Sequence, residues 1–195
     1  MNKTHTILGV ATLALLVGVV VNGVPGTAAQ GAKALTAQDV LDIRGLIDNY
    51  SHLLDNCVNN GNDYANLYTD DATFGVSQEY GKAKIWFRGR EQLRRAGGGT
   101  DTACRPQQSQ GYAYHLAINP MITATPTGAH AITTLLTITN DTNSRGDIVH
   151  WEGGYEDTFE KTPNGWRFKS RVHVWPEVAW TDRVEDMPAR KLEDE

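Results

Sequence analysis

His115 is the residue of this sequence best suited to moving protons near neutral pH. It lies in the run 112–125, whose odd positions begin Ala113, His115, Ala117, Asn119, Met121 and whose even ones include Tyr112, Tyr114, Leu116 and Ile118. Side chains of an extended chain alternate between faces, so His115 and Asn119 are expected on one face, with small alanines leaving room for a ligand. An imidazole titrates near pH 6.5 and can give or take a proton there. Two more candidates lie far upstream. Asp55 interrupts an otherwise apolar helical stretch, as a carboxylate aimed into a pocket or as one on the helix's wet side. Tyr50 stands about a turn and a half before it on the same helix. The plainer alternative makes His115 a hydrogen-bonded structural histidine and Asp55 a solvated acid.

Other side chains offer weaker signals. Phe74, Trp86, Trp151, Tyr155 and Trp175 either line a cavity or pack as plain core. His173 shares the odd positions of the last strand with Arg171 and Trp175, a second polar cluster. Trp166 and Phe168 follow a tight turn and read as core. No metal site is expected, because His115, His150 and His173 come from separate strands without a short ligand spacing. No P-loop, dinucleotide fingerprint or Gly-x-Ser-x-Gly elbow occurs, and no cofactor is implied. Asn140-Asp141-Thr142 is a formal glycosylation triplet.

The elements that must position these groups follow from periodicity. Residues 36–58 repeat apolar side chains at three- and four-residue steps (Val40, Ile43, Ile47, Tyr50, Leu54, Cys57, with Leu46 and Leu53), which predicts an amphipathic helix. Thr36 and Asp39 can cap its start, and Asn59-Asn60-Gly61-Asn62 can end it. A short helix over 63–68, strands over 72–76 and 84–88, and a helix over 89–96 follow, the last stopped by Gly97-Gly98-Gly99. Then come four long β-rich runs, 112–125, 130–142, 148–161 and 166–180. Turn residues at 126–128, 143–146 and 163–165 separate them, as in an antiparallel meander. Helices first and strands afterwards is the order of an α+β domain, covering 36–180. The charged stretch 181–195 reads as a loose tail.

Residues 1–29 read as a secretory signal cleaved near Ala29. An uncharged apolar run over 7–24 precedes Pro25-Gly26 and small residues. The run is also long enough for a marginal membrane span, so an uncleaved anchor is the alternative, and membrane association is expected only in that case. Either way the domain is expected in a secreted or periplasmic, oxidising space. There Cys57 and Cys104 could pair, or remain two free thiols. The formal net charge is −5, and loss of Lys3 with the leader makes it more negative, which argues against nucleic acid as partner.

The order of elements resembles the nuclear-transport-factor-two-like superfamily, and its details resemble the SnoaL-like branch. The carrying residues are the helix with Tyr50 and LLD ending at Asp55, YANLYTDDATF at 64–74 and FRGREQL at 87–93. YHLAINPMI at 114–122 and GGYEDTFEKTPNGWRFKSR at 153–171 complete the match. The resemblance implies a cone-shaped barrel: a strongly curved, mainly antiparallel sheet packed on three N-terminal helices, with an apolar cavity in its mouth. It implies that Asp55 orients and charge-stabilises His115, that His115 moves a proton on the substrate, and that Tyr50 polarises a carbonyl. It also implies a homodimer. Scytalone dehydratase carries a second histidine and a tyrosine just before the aspartate. Here Leu54 precedes Asp55 and no histidine lies between His52 and His115, so that full constellation is absent. The separated Asp–Arg–Asp trio of limonene epoxide hydrolases and the Asp-only base of ketosteroid isomerases are not evident either. Two readings remain. One is a cofactor-free acid–base enzyme of lyase or isomerase type (isomerisation, cyclisation or dehydration) acting on a small apolar oxygenated molecule. The other is a non-catalytic ligand-binding or dimerisation module of the same fold.

Overall fold

The computed structural model describes residues 32–79, 82–105, 114–141, 146–176 and 191–194. The expected signal segment, 1–29, lies outside them. Among the described residues no helix is long and apolar enough to cross a membrane.

Helix α1 spans Ala37–Asn56 and starts with a reciprocal cap. The Thr36 hydroxyl accepts from the Asp39 N–H, and the Asp39 carboxylate accepts from the Thr36 N–H. Two amides that a helix start leaves unpaired are thereby satisfied. Asp39 also accepts from Lys161 Nζ at 2.5 Å and Trp166 Nε1 at 2.9 Å, which ties the helix start to strands more than a hundred residues away. Ile43, Leu46, Ile47, Tyr50 and Leu54 are buried on one side, whereas Val40 stays at the exposed margin of that stripe. Cys57 ends the helix with φ 48°, and Asn59, Asn60 and Gly61 continue in the left-handed region. Asparagine and glycine take up this geometry at little cost, so the chain reverses here. A disulfide joins Cys57 to Cys104 and fastens the helix exit to the segment after the glycine triplet.

Helix α2 is a single turn, Asn62–Ala65, and α3 spans Gly89–Ala96. The strands are β1 (Tyr68–Glu79), β2 (Lys82–Arg88), β3 (Tyr114–Thr125), β4 (Gly128–Asp141), β5 (Gly146–Thr162), β6 (Gly165–Val174) and β7 (Lys191–Asp194). They form one sheet in the order β3-β4-β5-β6-β1-β2-β7, curled but not closed. The meander β3 to β6 is antiparallel as expected, while β6 pairs with β1 in parallel, a long-range join that local turn chemistry does not announce. β1 is longer than the strand expected there. Within the stretch expected as a charged tail, the backbone of β7 extends the sheet beside β2, and 181–190 lie outside the described residues.

Two irregularities in the strands decide which side chains face inward. Between Ile118 and Met121 the register with β4 slips by one residue, and Asn119 there has φ 53°. A second slip faces Thr134 and Leu136, where β5 carries Gly153 at φ 82°. A Cβ on Gly153 would overlap the Val174 carbonyl oxygen, so only glycine fits. Each bulge reverses the inside–outside alternation of its strand. The core inside the curl is built on Ile43, Ile47, Tyr50, Tyr64, Leu93, Leu135 and Phe168.

Candidate functional site

A cavity of about 420 Å³ opens between α1 and the concave face of the sheet. Leu54, Phe74, Val76, Trp86, Phe87 and Leu135 give it an apolar wall, and its polar groups are few: Tyr50, Tyr64, Tyr155, His115, His173, Thr137, Thr139 and Glu152. That combination suits a small organic molecule held by shape and oriented by a few hydrogen bonds.

His115 borders the cavity, and Asp55 stands behind it. The Asp55 carboxylate accepts from the His115 backbone N–H at 3.0 Å and meets Nδ1 at 2.5 Å. Asp55 is 3 % exposed and has no share in the cavity wall. A carboxylate against Nδ1 keeps the proton on that nitrogen in the neutral ring, which leaves the lone pair on Nε2. Among the described residues Nε2 has no protein partner. α1 supplies the acid because Asp55 follows Leu54 by one step on the buried side; β3 supplies the imidazole because His115 precedes the Asn119 bulge.

A second histidine lies in the same wall. His173 Nε2 donates to the Glu152 carbonyl at 2.7 Å, so its proton is fixed on the opposite nitrogen from that of His115. Burial pushes the His173 pKa below its usual value, with His115 and Arg171 adding to the effect, so the ring is neutral at physiological pH. The Glu152 side chain accepts from the Thr137 hydroxyl at 3.2 Å, and Thr137 is the cross-strand neighbour of His115. The Tyr155 hydroxyl donates to the Tyr50 hydroxyl at 3.4 Å. Burial pushes both phenols above their ordinary pKa, so they remain protonated donors. Among the described residues no group of three or more His, Cys, Asp or Glu side chains is arranged to hold a metal.

Residues 35–172 match the family model described as a SnoaL-like domain. This chain belongs to the SnoaL-like family. No curated protein matches it. Among solved structures, the SnoaL-like chain is similar to an NTF2-like protein with a cystatin-like fold from Novosphingobium aromaticivorans, at 19 % identity and TM-score 0.58, covering 73 % of this chain and 85 % of that one. A Catenulispora acidiphila protein in complex with S-DNPA is similar at 18 % identity and TM-score 0.53, covering 73 % and 96 %. ActVI-ORFA from Streptomyces coelicolor is similar at 14 % identity and TM-score 0.51, covering 71 % and 98 %. At such identities the likeness is one of fold.

Of the residues singled out in the SnoaL-like sequence, Tyr50, Phe74, Trp86, His115, Tyr155 and His173 line the cavity. Besides Asp55, which stands behind His115, three others do not. Asn119 is exposed on the bulge, because the extra residue there breaks the alternation that would have placed it beside His115. Trp151 is half exposed on the outer face and donates its indole N–H to the Gly153 carbonyl. The Gly153 bulge puts it opposite in sense to Tyr155. Trp175 follows the end of β6 and is 38 % exposed, its backbone N–H bonded to the Ser77 carbonyl. Sequence reasoning passed over Glu152, Thr137 and Thr139. Alternation with apolar Val149 and Trp151 would have turned Glu152 outward, so the local sequence held no signal for it. Arg171 lies buried beneath the cavity rather than in its wall.

Proposed function

We propose that this SnoaL-like protein is an exported enzyme that performs cofactor-free acid–base chemistry on a small, hydrophobic, oxygenated molecule. The observation that carries the reading is the 2.5 Å contact between Asp55 and His115 Nδ1 at the edge of an apolar cavity. His115 Nε2 takes a proton from the substrate and returns it at another position, and Asp55 stabilises the imidazolium formed in between. The Tyr50 hydroxyl donates to the substrate oxygen on which charge develops. Isomerisation, cyclisation and dehydration all consist of such transfers. The complex of the Catenulispora protein with S-DNPA supports a small molecule as ligand. The apolar run at 7–24 and the disulfide support export to an oxidising space. We further propose a homodimer through the outer sheet face, where Tyr114, Leu116, Val149 and Trp151 are exposed together.

The reading is tested without knowing the substrate. The protein is incubated with aryl ketones in deuterated water, and exchange of their α-protons is followed by NMR. Exchange that His115→Ala abolishes supports the proposal. Exchange unchanged in folded His115→Ala refutes it.

A further inference from the structure

Arg171 is fully buried, and its surroundings are unusual for a charged side chain. Its guanidinium carbon lies 3.8 Å from the Tyr50 ring centroid and 3.7 Å from that of Tyr155, with Phe168 at 4.8 Å. A hydrogen bond, Nη1 to Asp157 Oδ2 at 3.3 Å, joins it to a carboxylate that is also fully buried. Among the described residues Arg171 Nε, Arg171 Nη2 and Asp157 Oδ1 have no hydrogen-bond partner. A guanidinium stays protonated even where burial opposes its charge. Burial pushes the Asp157 carboxyl up to about 7 against the pull of Arg171, so its countercharge is incomplete near neutrality. A cation thus sits between two rings whose hydroxyls, 3.4 Å apart, belong to side chains lining the cavity.

We infer that Arg171 turns the Tyr50–Tyr155 end of the cavity into an oxyanion site, so that the molecule handled there presents a phenolic or enolisable oxygen to the two hydroxyls. The inference rests on the acid–base function proposed above and narrows its substrate class. With the Tyr155 O–H turned from Tyr50 to the ligand, two donors at that separation converge on one acceptor oxygen, and the buried positive charge against both rings strengthens both bonds as negative charge develops. In the reaction a C–H or O–H bond of the substrate breaks, the proton passes to His115 Nε2, and the electron pair comes to rest on the oxygen held by the tyrosines. No oxidant or second reactant is needed. Arg171 is a positioning residue, since it acts through the phenols. The apolar wall of Phe74, Trp86 and Phe87 suits the flat conjugated body of such a molecule.

The test uses 4-nitrophenol, whose ionised form absorbs visible light, with the whole protein. The wild type is expected to bind it as phenolate at a pH about one unit below the probe's own pKa. Arg171→Met lowers the bound phenolate-to-phenol ratio about tenfold or more, while Arg171→Lys, which keeps the charge, restores most of it. Asp157→Asn keeps the cation and raises the ratio only from about pH 7 upward, where the Asp157 carboxyl would otherwise ionise, whereas a purely structural role for the pair would lower it in both variants at every pH. Where Arg171→Met does not fold, the double variant with Asp157→Asn removes the buried pair as a unit and gives the same readout. A ratio unchanged in the folded Arg171 variants, a probe bound as neutral phenol, or a wild type that does not bind it overturns the inference. The acid–base reading falls separately, on ketone exchange that survives His115→Ala.

Discussion

The carboxylate of Asp55 grips His115 by two atoms, the backbone amide and Nδ1, across 60 positions of sequence. One acid therefore fixes both where the strand lies and which ring nitrogen is free. Asp55→Asn is expected to lower turnover about 100- to 10,000-fold with the apparent KM changed far less, because the imidazolium loses its counterion. Asp55→Ala also leaves the His115 N–H unpaired, and stability should fall by about 1–3 kcal/mol. The ketone exchange assay and thermal melts measure the two effects.

Asp157 predicts a pH dependence of stability. Its folded pKa, about 7, lies above the ordinary value of 3.8, so the folded chain holds a proton that the unfolded chain has released. Stability from this group is fully present below about 3.8 and is lost as pH rises toward 7. Asp157→Asn should remove that decline. Melting temperatures taken between pH 4 and pH 8 in both proteins decide the matter; parallel curves would contradict it.

Asp39 acts in the opposite sense. Lys161, Thr36 and Trp166 hold its carboxyl below the usual range, so its contribution is present above the ordinary pKa and is lost on acidification below it. Asp39→Ala removes half of the capping box and the acceptor of two distant donors. A lower urea midpoint is expected at neutral pH, the difference shrinking in strong acid.

The disulfide lies two residues beyond Asp55. Replacing Cys57 and Cys104 by serine opens a loop whose ends are 47 positions apart, and stability should drop by about 2–4 kcal/mol. Because α1 ends at this tether, exchange activity should fall at temperatures still below the melt. Activity tracking the folded fraction alone would show that the tether does not position Asp55.

The exposed outer-face residues predict a change of assembly. Trp151→Asp, remote from the cavity wall, is expected to convert a dimer into a monomer in sedimentation experiments. A wild type that sediments as a monomer refutes the proposed interface.

Much of the frame is legible in local pattern. The spacing of Ile43, Ile47, Tyr50 and Leu54 requires a helix with one buried side, and Thr36 with Asp39 marks where it begins. The turns at 126–128 and 163–165 place β4 beside β3 and β6 beside β5. The site was only half legible. His115 follows from alternation, but Asn119 was placed beside it by the same rule and lies outside, while Trp151, offered as cavity lining or core, is half exposed. A rule of period two fails beyond a bulge, and a bulge depends on partner strands that the local sequence does not contain.

The sequence by itself therefore determined the elements, their order and the residue types able to exchange protons, because these depend on spacing along one chain. Tertiary structure alone decided that Asp55 and His115 meet, that Glu152 rather than Trp151 faces the cavity, and that Arg171 lies between Tyr50 and Tyr155. Those relations depend on strand register, on Gly153 and on the parallel join of β1 to β6, which are settled only when distant segments pack and bury their surfaces together.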